Sequence, residues 1–195
     1  MNFFRLWLTG YYDPSRVVDE LKTKPAPHWG FYAQLTRALL DSLLLYLPLA
    51  ILGREPSTPS YLTFLPAERY FLASVFFVPV FLLAHWVMLS GVLHLVLRLS
   101  GRPGGIDQIL NITGFAALVV GAFLILWDWV WIAMGWHSDV LLGISHLVLV
   151  IWAVVITALG FHRILGLPWW LAILLNVLWI ALGEPLAAIF MRAPL

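Results

Sequence analysis

The chain has 195 residues, 62% of them hydrophobic and only 11% Asp, Glu, Lys or Arg, with a formal net charge of +1 and no cysteine. A soluble domain carries about 25% charged residues, so a water-soluble globule is excluded, and the aromatic richness excludes disorder. No disulfide, thiolate metal site or cysteine nucleophile is possible, and without a clustered basic face no nucleic-acid partner is expected. The class that remains is an all-α integral membrane protein, a polytopic helical bundle.

The N-terminal segment comes first. Residues 1–30 are expected to form a cytoplasmic or interfacial unit, and Met1 to Leu8 lacks the long apolar run and cleavage site of a secretory signal. Asp13-Pro14 reads as a helix start, a carboxylate N-cap followed by proline at the first helical position. Val17, Val18 and Leu21 then share one face, with Pro25 and Pro27 ending the helix. This amphipathic helix is expected to lie on the membrane or to pack on the loops, with Phe3, Phe4, Leu6, Trp7 and Leu8 dipping into the interface ahead of it.

Residues 31–195 are expected to hold five spans, at about 31–52, 69–98, 109–134, 140–162 and 168–190. Crossing the hydrocarbon takes about 20 apolar residues in a helix. Four stretches of that length contain no Asp, Glu, Lys or Arg: Tyr70 to Leu97, Gln108 to Trp127, Val140 to His162 and Ile164 to Gly183. The first span must include Arg37 and Asp41, which sit four apart on one helix face and can neutralise each other. Thirty residues in the second span make a helix of about 45 Å against about 30 Å of hydrocarbon. It must therefore tilt, kink at Pro79 or project. Pro48 and Pro185 are read as further kinks.

Arg5, Arg16, Lys22, Lys24, Arg98, Arg102 and Arg163 fall on one side of such a bundle, and Arg54, Arg69 and Arg192 on the other. The bias predicts a cytoplasmic N-terminus and a C-terminus across a bacterial plasma membrane. Trp127, Trp129, Trp131 and Trp136 would form an aromatic belt at the far face.

Three segments together carry a likeness. They are Tyr12-Asp13-Pro14-Ser15-Arg16-Val17-Val18-Asp19-Glu20-Leu21, then Leu97-Arg98-Leu99-Ser100-Gly101-Arg102-Pro103-Gly104-Gly105 running into Ile109-Leu110-Asn111-Ile112-Thr113-Gly114-Phe115, and Leu159-Gly160-Phe161-His162-Arg163-Ile164-Leu165-Gly166-Leu167. In layout and spacing the chain resembles the bacterial branch of the Yip1-domain family of multi-span membrane proteins. The resemblance implies a five-helix membrane domain with a cytoplasmic N-terminus. Eukaryotic relatives are associated with vesicle trafficking and Rab-type GTPases. That partner is not carried over, because this chain has almost no cytoplasmic domain to receive it.

Ionisable groups within membrane spans are functional candidates by default. Here they are Arg37, Asp41, His85, His94, Asp128, His146 and Glu184. Depth along the helices suggests two clusters: Arg37, Asp41 and His85, and separately Asp128, His146 and Glu184. The second could relay protons or bind a divalent cation; both clusters could equally fix helix register. His85 and His94 lie on opposite helix faces and cannot form one metal site. Asn111, Ser145 and Asn176 are expected to bond across helices. No nucleophile–base spacing, P-loop or zinc motif is present, so no enzyme activity, cofactor or metal is expected.

Two function classes remain. The first is a non-enzymatic membrane protein that organises lipids or membrane-protein partners, with Lys22, Lys24, Arg98 and Arg102 contacting anionic headgroups. The alternative is a small transporter or ion channel, a homo-oligomer, that uses the buried charges.

Overall fold

The structure, a computed structural model, describes residues 1–24, 26–102 and 104–192. It is 78% helical, and no strand occurs among the described residues. Two short helices, α1 (Phe3–Thr9) and α2 (Pro14–Lys22), precede five helices long and apolar enough to cross a membrane. These are α3 (His28–Ile51), α4 (Ala67–Leu99), α5 (Ile106–Ala133), α6 (Asp139–Arg163) and α7 (Trp169–Phe190).

Helix α5 is the hub. Most of its span is buried, whereas the other four turn most of their surface outward. It packs on α3, α4 and α6, while α7 packs on α4 and α6. Leu72, Phe76, Val80, Ile144, Leu147, Val148, Ile173 and Val177 are among the large apolar side chains left on the outside. In water such a surface would be a liability; in lipid it is the solvated face.

The closest crossing lies between α3 and α5. A Cβ on Gly30 would overlap the Leu110 carbonyl, and one on Gly114 would overlap the Gly30 backbone. Two helix backbones meet here because neither residue has a side chain, the packing mode expected where lipid removes the hydrophobic drive between helices. Asn111 closes the joint. Its Oδ1 accepts from the Gly30 N–H at 2.7 Å, and its Nδ2 donates to the carbonyls of Lys24 at 2.9 Å and Ala26 at 2.8 Å.

The N-terminal helices form a hairpin packed on α5 and α6. Asp13 caps α2 by accepting from the Arg16 N–H at 3.1 Å, with Pro14 in the first turn. Val17, Val18 and Leu21 share one face as their spacing predicts, but that face is buried in protein rather than laid on lipid. Leu21 and Val17 join Leu6, Phe115 and Leu118 in one cluster. The Trp152 indole donates to the Gly10 carbonyl at 3.0 Å, and the Met1 ammonium pairs with Glu20 at 3.1 Å. The outward apolar side chains of α1 are Phe4 and Leu8, with Arg5 exposed between them. Helix α2 stops at Lys22, capped by Thr23. Pro27 stands just before α3 and does not end α2. Pro25, and Pro103 in the basic loop, lie outside the described residues.

All three membrane prolines sit inside continuous helices. Residues 70–99 run unbroken through Pro79. Helix α3 winds as a π-helix over Asp41–Tyr46, just ahead of Pro48. A proline has no N–H for the carbonyl four residues earlier. For Pro48 that carbonyl is Leu44, which accepts the Trp129 indole N–H at 2.7 Å. For Pro79 it is Val75, which accepts the Ser42 hydroxyl at 2.5 Å. Each freed acceptor is served from a neighbouring helix, as a medium without water requires.

Candidate functional site

Arg37 and Asp41 project from one face of α3, a turn apart. Arg37 Nε donates to Asp41 Oδ2 at 2.6 Å, and the aspartate side chain is 2% exposed. The guanidinium stem lies across Gly121 of α5, where any Cβ would overlap it. The ion pair therefore occupies a slot cut by a missing side chain. The aspartate also begins the π-helical turn, a local winding often found at functional sites.

Asp128 of α5 accepts from, or donates to, His146 of α6 through Oδ1 and Nε2 at 2.9 Å, the sense depending on protonation. Asp128 is buried and His146 half-buried. Glu184 of α7 makes no hydrogen bond or ion pair with the described residues and is exposed on the isolated chain.

Of the two clusters expected from depth, all members except His85 line one chamber. A cavity of about 270 Å³ is bounded by Arg37, Asp41, Asp128, His146, Glu184 and Arg192, with Asp139 at its rim. It lies at the end of the bundle where α6 begins and α7 ends. A second cavity of about 190 Å³ runs toward the opposite end, and Arg37, Leu124 and Glu184 line both. The inner cavity is largely apolar, with Gln34, His85, Thr113, Thr157 and Asn176 as polar members besides Arg37 and Glu184. Beyond it Leu93, Ile112, Phe161, Leu171 and Leu175 pack into a closed apolar cluster.

His85 lines the inner cavity beside Arg37 without joining the Arg37–Asp41 pair. Its Nε2 is buried and unpartnered, as is Gln34 Oε1. His94 stands apart, with Nδ1 against the Gly104 carbonyl at 2.8 Å. Among the described residues no group of three or more His, Asp and Glu side chains could hold a metal ion, so the divalent-cation reading of Asp128, His146 and Glu184 has no ligand set behind it. The cross-helix polar residues bond as follows: the Trp127 indole donates to Ser145 Oγ at 2.7 Å, Thr157 Oγ1 donates to Asn176 Oδ1, and Asn111 bridges as described. Trp127 and Trp129 thus turn their N–H groups inward, and Trp131 is buried against Trp136, so these four are not a simple outward belt.

Lys22, Arg98 and Arg102 are exposed, and none is paired with a carboxylate among the described residues. Lys24 differs: its ammonium sits 4.4 Å from the centroid of the Trp29 ring.

Sequence reasoning passed over Gln34, Gly121, Asp139 and Arg192 as site residues. Gln34 was visible as a polar interruption in the first span. From the sequence Arg192 reads only as a far-side charge, Asp139 stands one residue before the fourth expected span, and nothing in one chain's periodicity places Gly121 opposite Arg37.

A model of the Yip1 domain matches residues 10–190. No curated protein and no solved structure matches the chain.

Proposed function

This chain belongs to the Yip1 domain family, and we propose that it is a non-enzymatic membrane protein that organises lipids or membrane-protein partners. The family is not known as enzymatic, and the five apolar helices fit an integral membrane location with lipid contact. The observation that carries the proposal is the set of exposed, carboxylate-free cations Lys22, Arg98 and Arg102 at the end of the bundle where α2 and α4 finish. A basic rim beside a lipid-facing belt attracts anionic headgroups by about 1 kcal/mol per charge. In this reading residues 1–30 form the cytoplasmic unit, residues 31–195 form the membrane domain, and the C-terminus lies across the membrane. Lys24 contributes less than its charge suggests, because Trp29 holds it.

The test is lipid selectivity of the purified protein at low salt. Arg98→Gln with Arg102→Gln is expected to lower the enrichment of phosphatidylglycerol over phosphatidylcholine in the bound lipid severalfold. Unchanged enrichment removes the headgroup role.

A second reading, transport of a small cation through an oligomer, is favoured by the charged chamber continuing into the inner cavity. Its test is proton flux into liposomes followed with a trapped pH dye. Asp41→Ala or Glu184→Ala is expected to abolish the flux; a flux that survives both substitutions rejects these residues as the pathway.

A further inference from the structure

The inner cavity and the chamber meet at Glu184, with His146 and Arg192 on the chamber side and Gln34 and His85 on the inner side. The Glu184 carboxylate has no partner among the described residues. Arg37, which lines both cavities, is already committed to Asp41 at 2.6 Å. Gln34 is 4% exposed; its Nε2 donates to the Leu82 carbonyl at 3.2 Å, while its Oε1 lines the same cavity buried and without a donor. The site therefore holds a carboxyl group, an amide oxygen and the buried His85 Nε2, none of them with a partner among the described residues. The walls around them are apolar and aromatic, including Leu82, Trp86, Leu93 and Trp179. The Trp86 indole is spent on Thr113 at 2.9 Å, leaving its ring face as the available surface.

We propose that this cavity binds a protonated amine with a compact apolar body, its ammonium between Glu184 and Gln34 and its body against the aromatic wall. An anion would meet an unpaired carboxylate. A hydrated metal ion would meet apolar walls and too few ligands. An ammonium brings positive charge and up to three N–H donors, which answer Glu184 and Gln34 Oε1 and leave one for His85 Nε2 in the tautomer where that nitrogen accepts. Indole faces favour a nearby cation further. Glu184 is reachable, since it is exposed at the side of α7 and on the chamber. Binding does not require transport or headgroup selectivity: a negative flux or lipid assay leaves it standing, and its own failure leaves those readings intact.

The experiment is equilibrium binding of radiolabelled 1-adamantylamine to the full chain in phosphatidylcholine nanodiscs, with empty nanodiscs as background. Saturable binding above background is expected. Glu184→Gln should weaken it at least tenfold while leaving the protein monodisperse with an unchanged unfolding midpoint, and Glu184→Asp should recover part of the loss. Adamantan-1-ol, adamantane-1-carboxylate and the N,N,N-trimethyl analogue, which keeps the charge but has no N–H, should compete poorly. The proposal is overturned by any of three results: no saturable binding, equal competition by the alcohol or the trimethyl analogue, or undiminished affinity in Glu184→Gln.

Discussion

Arg37 is held by its own helix and by a neighbour's missing side chain. Asp41 takes its charge one turn away, and Gly121 makes the room for its stem. Removing only the carboxylate leaves a guanidinium buried and unmatched, which costs about 3–5 kcal/mol, whereas replacing both partners by apolar groups is often close to neutral. Asp41→Ala is therefore expected to lower the SDS-unfolding stability of the purified protein by that amount, and Arg37→Met with Asp41→Leu to lower it less. A double variant as unstable as the single one would show that the pair is not simply an internal neutralisation. Half of this arrangement was legible beforehand. The i,i+4 spacing of an acid and a base is a property of one helix and can be read from the chain. The glycine opposite belongs to another helix, and helix order is not encoded in periodicity. For the same reason depth along the chain separates Arg37 and Asp41 from Asp128 and His146, whereas the packing of α3, α5, α6 and α7 puts all four on one chamber.

At the level of elements, the prolines explain why α3, α4 and α5 hold together on their polar side. Each proline strips a carbonyl of its intrahelical donor, and in lipid an orphaned carbonyl is costly. Ser42 of α3 serves the Val75 carbonyl of α4, and Trp129 of α5 serves the Leu44 carbonyl of α3. Polar contacts between membrane helices are modest, averaging about 0.6 kcal/mol. Ser42→Ala and Trp129→Phe are each expected to cost about 0.5–1.5 kcal/mol, read as a lower midpoint in SDS titration. Unchanged midpoints in both variants would remove the clamp. The sequence announces the prolines, and their places inside spans follow from hydropathy. It does not announce the donors, because a serine and a tryptophan in an apolar run look the same whether they face lipid or a neighbour. The amphipathic face of α2 shows the same limit: Val17, Val18 and Leu21 fix which side is apolar, but protein, not lipid, covers it.

Across the whole molecule, one end of the bundle is closed by an apolar cluster, and at the other α3, α4 and α5 stay packed through Leu45, Tyr46, Leu49, Tyr70, Phe71 and Ile125 while the chamber opens between α3, α5, α6 and α7. The cluster of Leu93, Leu97, Ile109, Ile112, Phe161, Leu171 and Leu175 joins α4 to α7 where α5 and α7 begin. Past it, the cavities take up the interior as far as Arg192. The five-span class follows from composition and length alone, since an excess of apolar residues arranged in runs of membrane length admits few other answers. The interior space does not, because a cavity is a place where side chains fail to meet, and that is a property of the assembled bundle. Pro185 of α7 differs from its two counterparts: the Ala181 carbonyl, four residues before it, receives no side-chain donor among the described residues. Two of the three freed carbonyls are thus served from a neighbouring helix and one is not, on the residue three before Glu184. The last turn of α7 is held to α4 instead beyond the proline, where the Tyr70 hydroxyl donates to the Phe190 carbonyl at 2.8 Å and Phe81 stacks on Phe190, so the stretch that carries Glu184 lies between an unserved carbonyl and an anchored end.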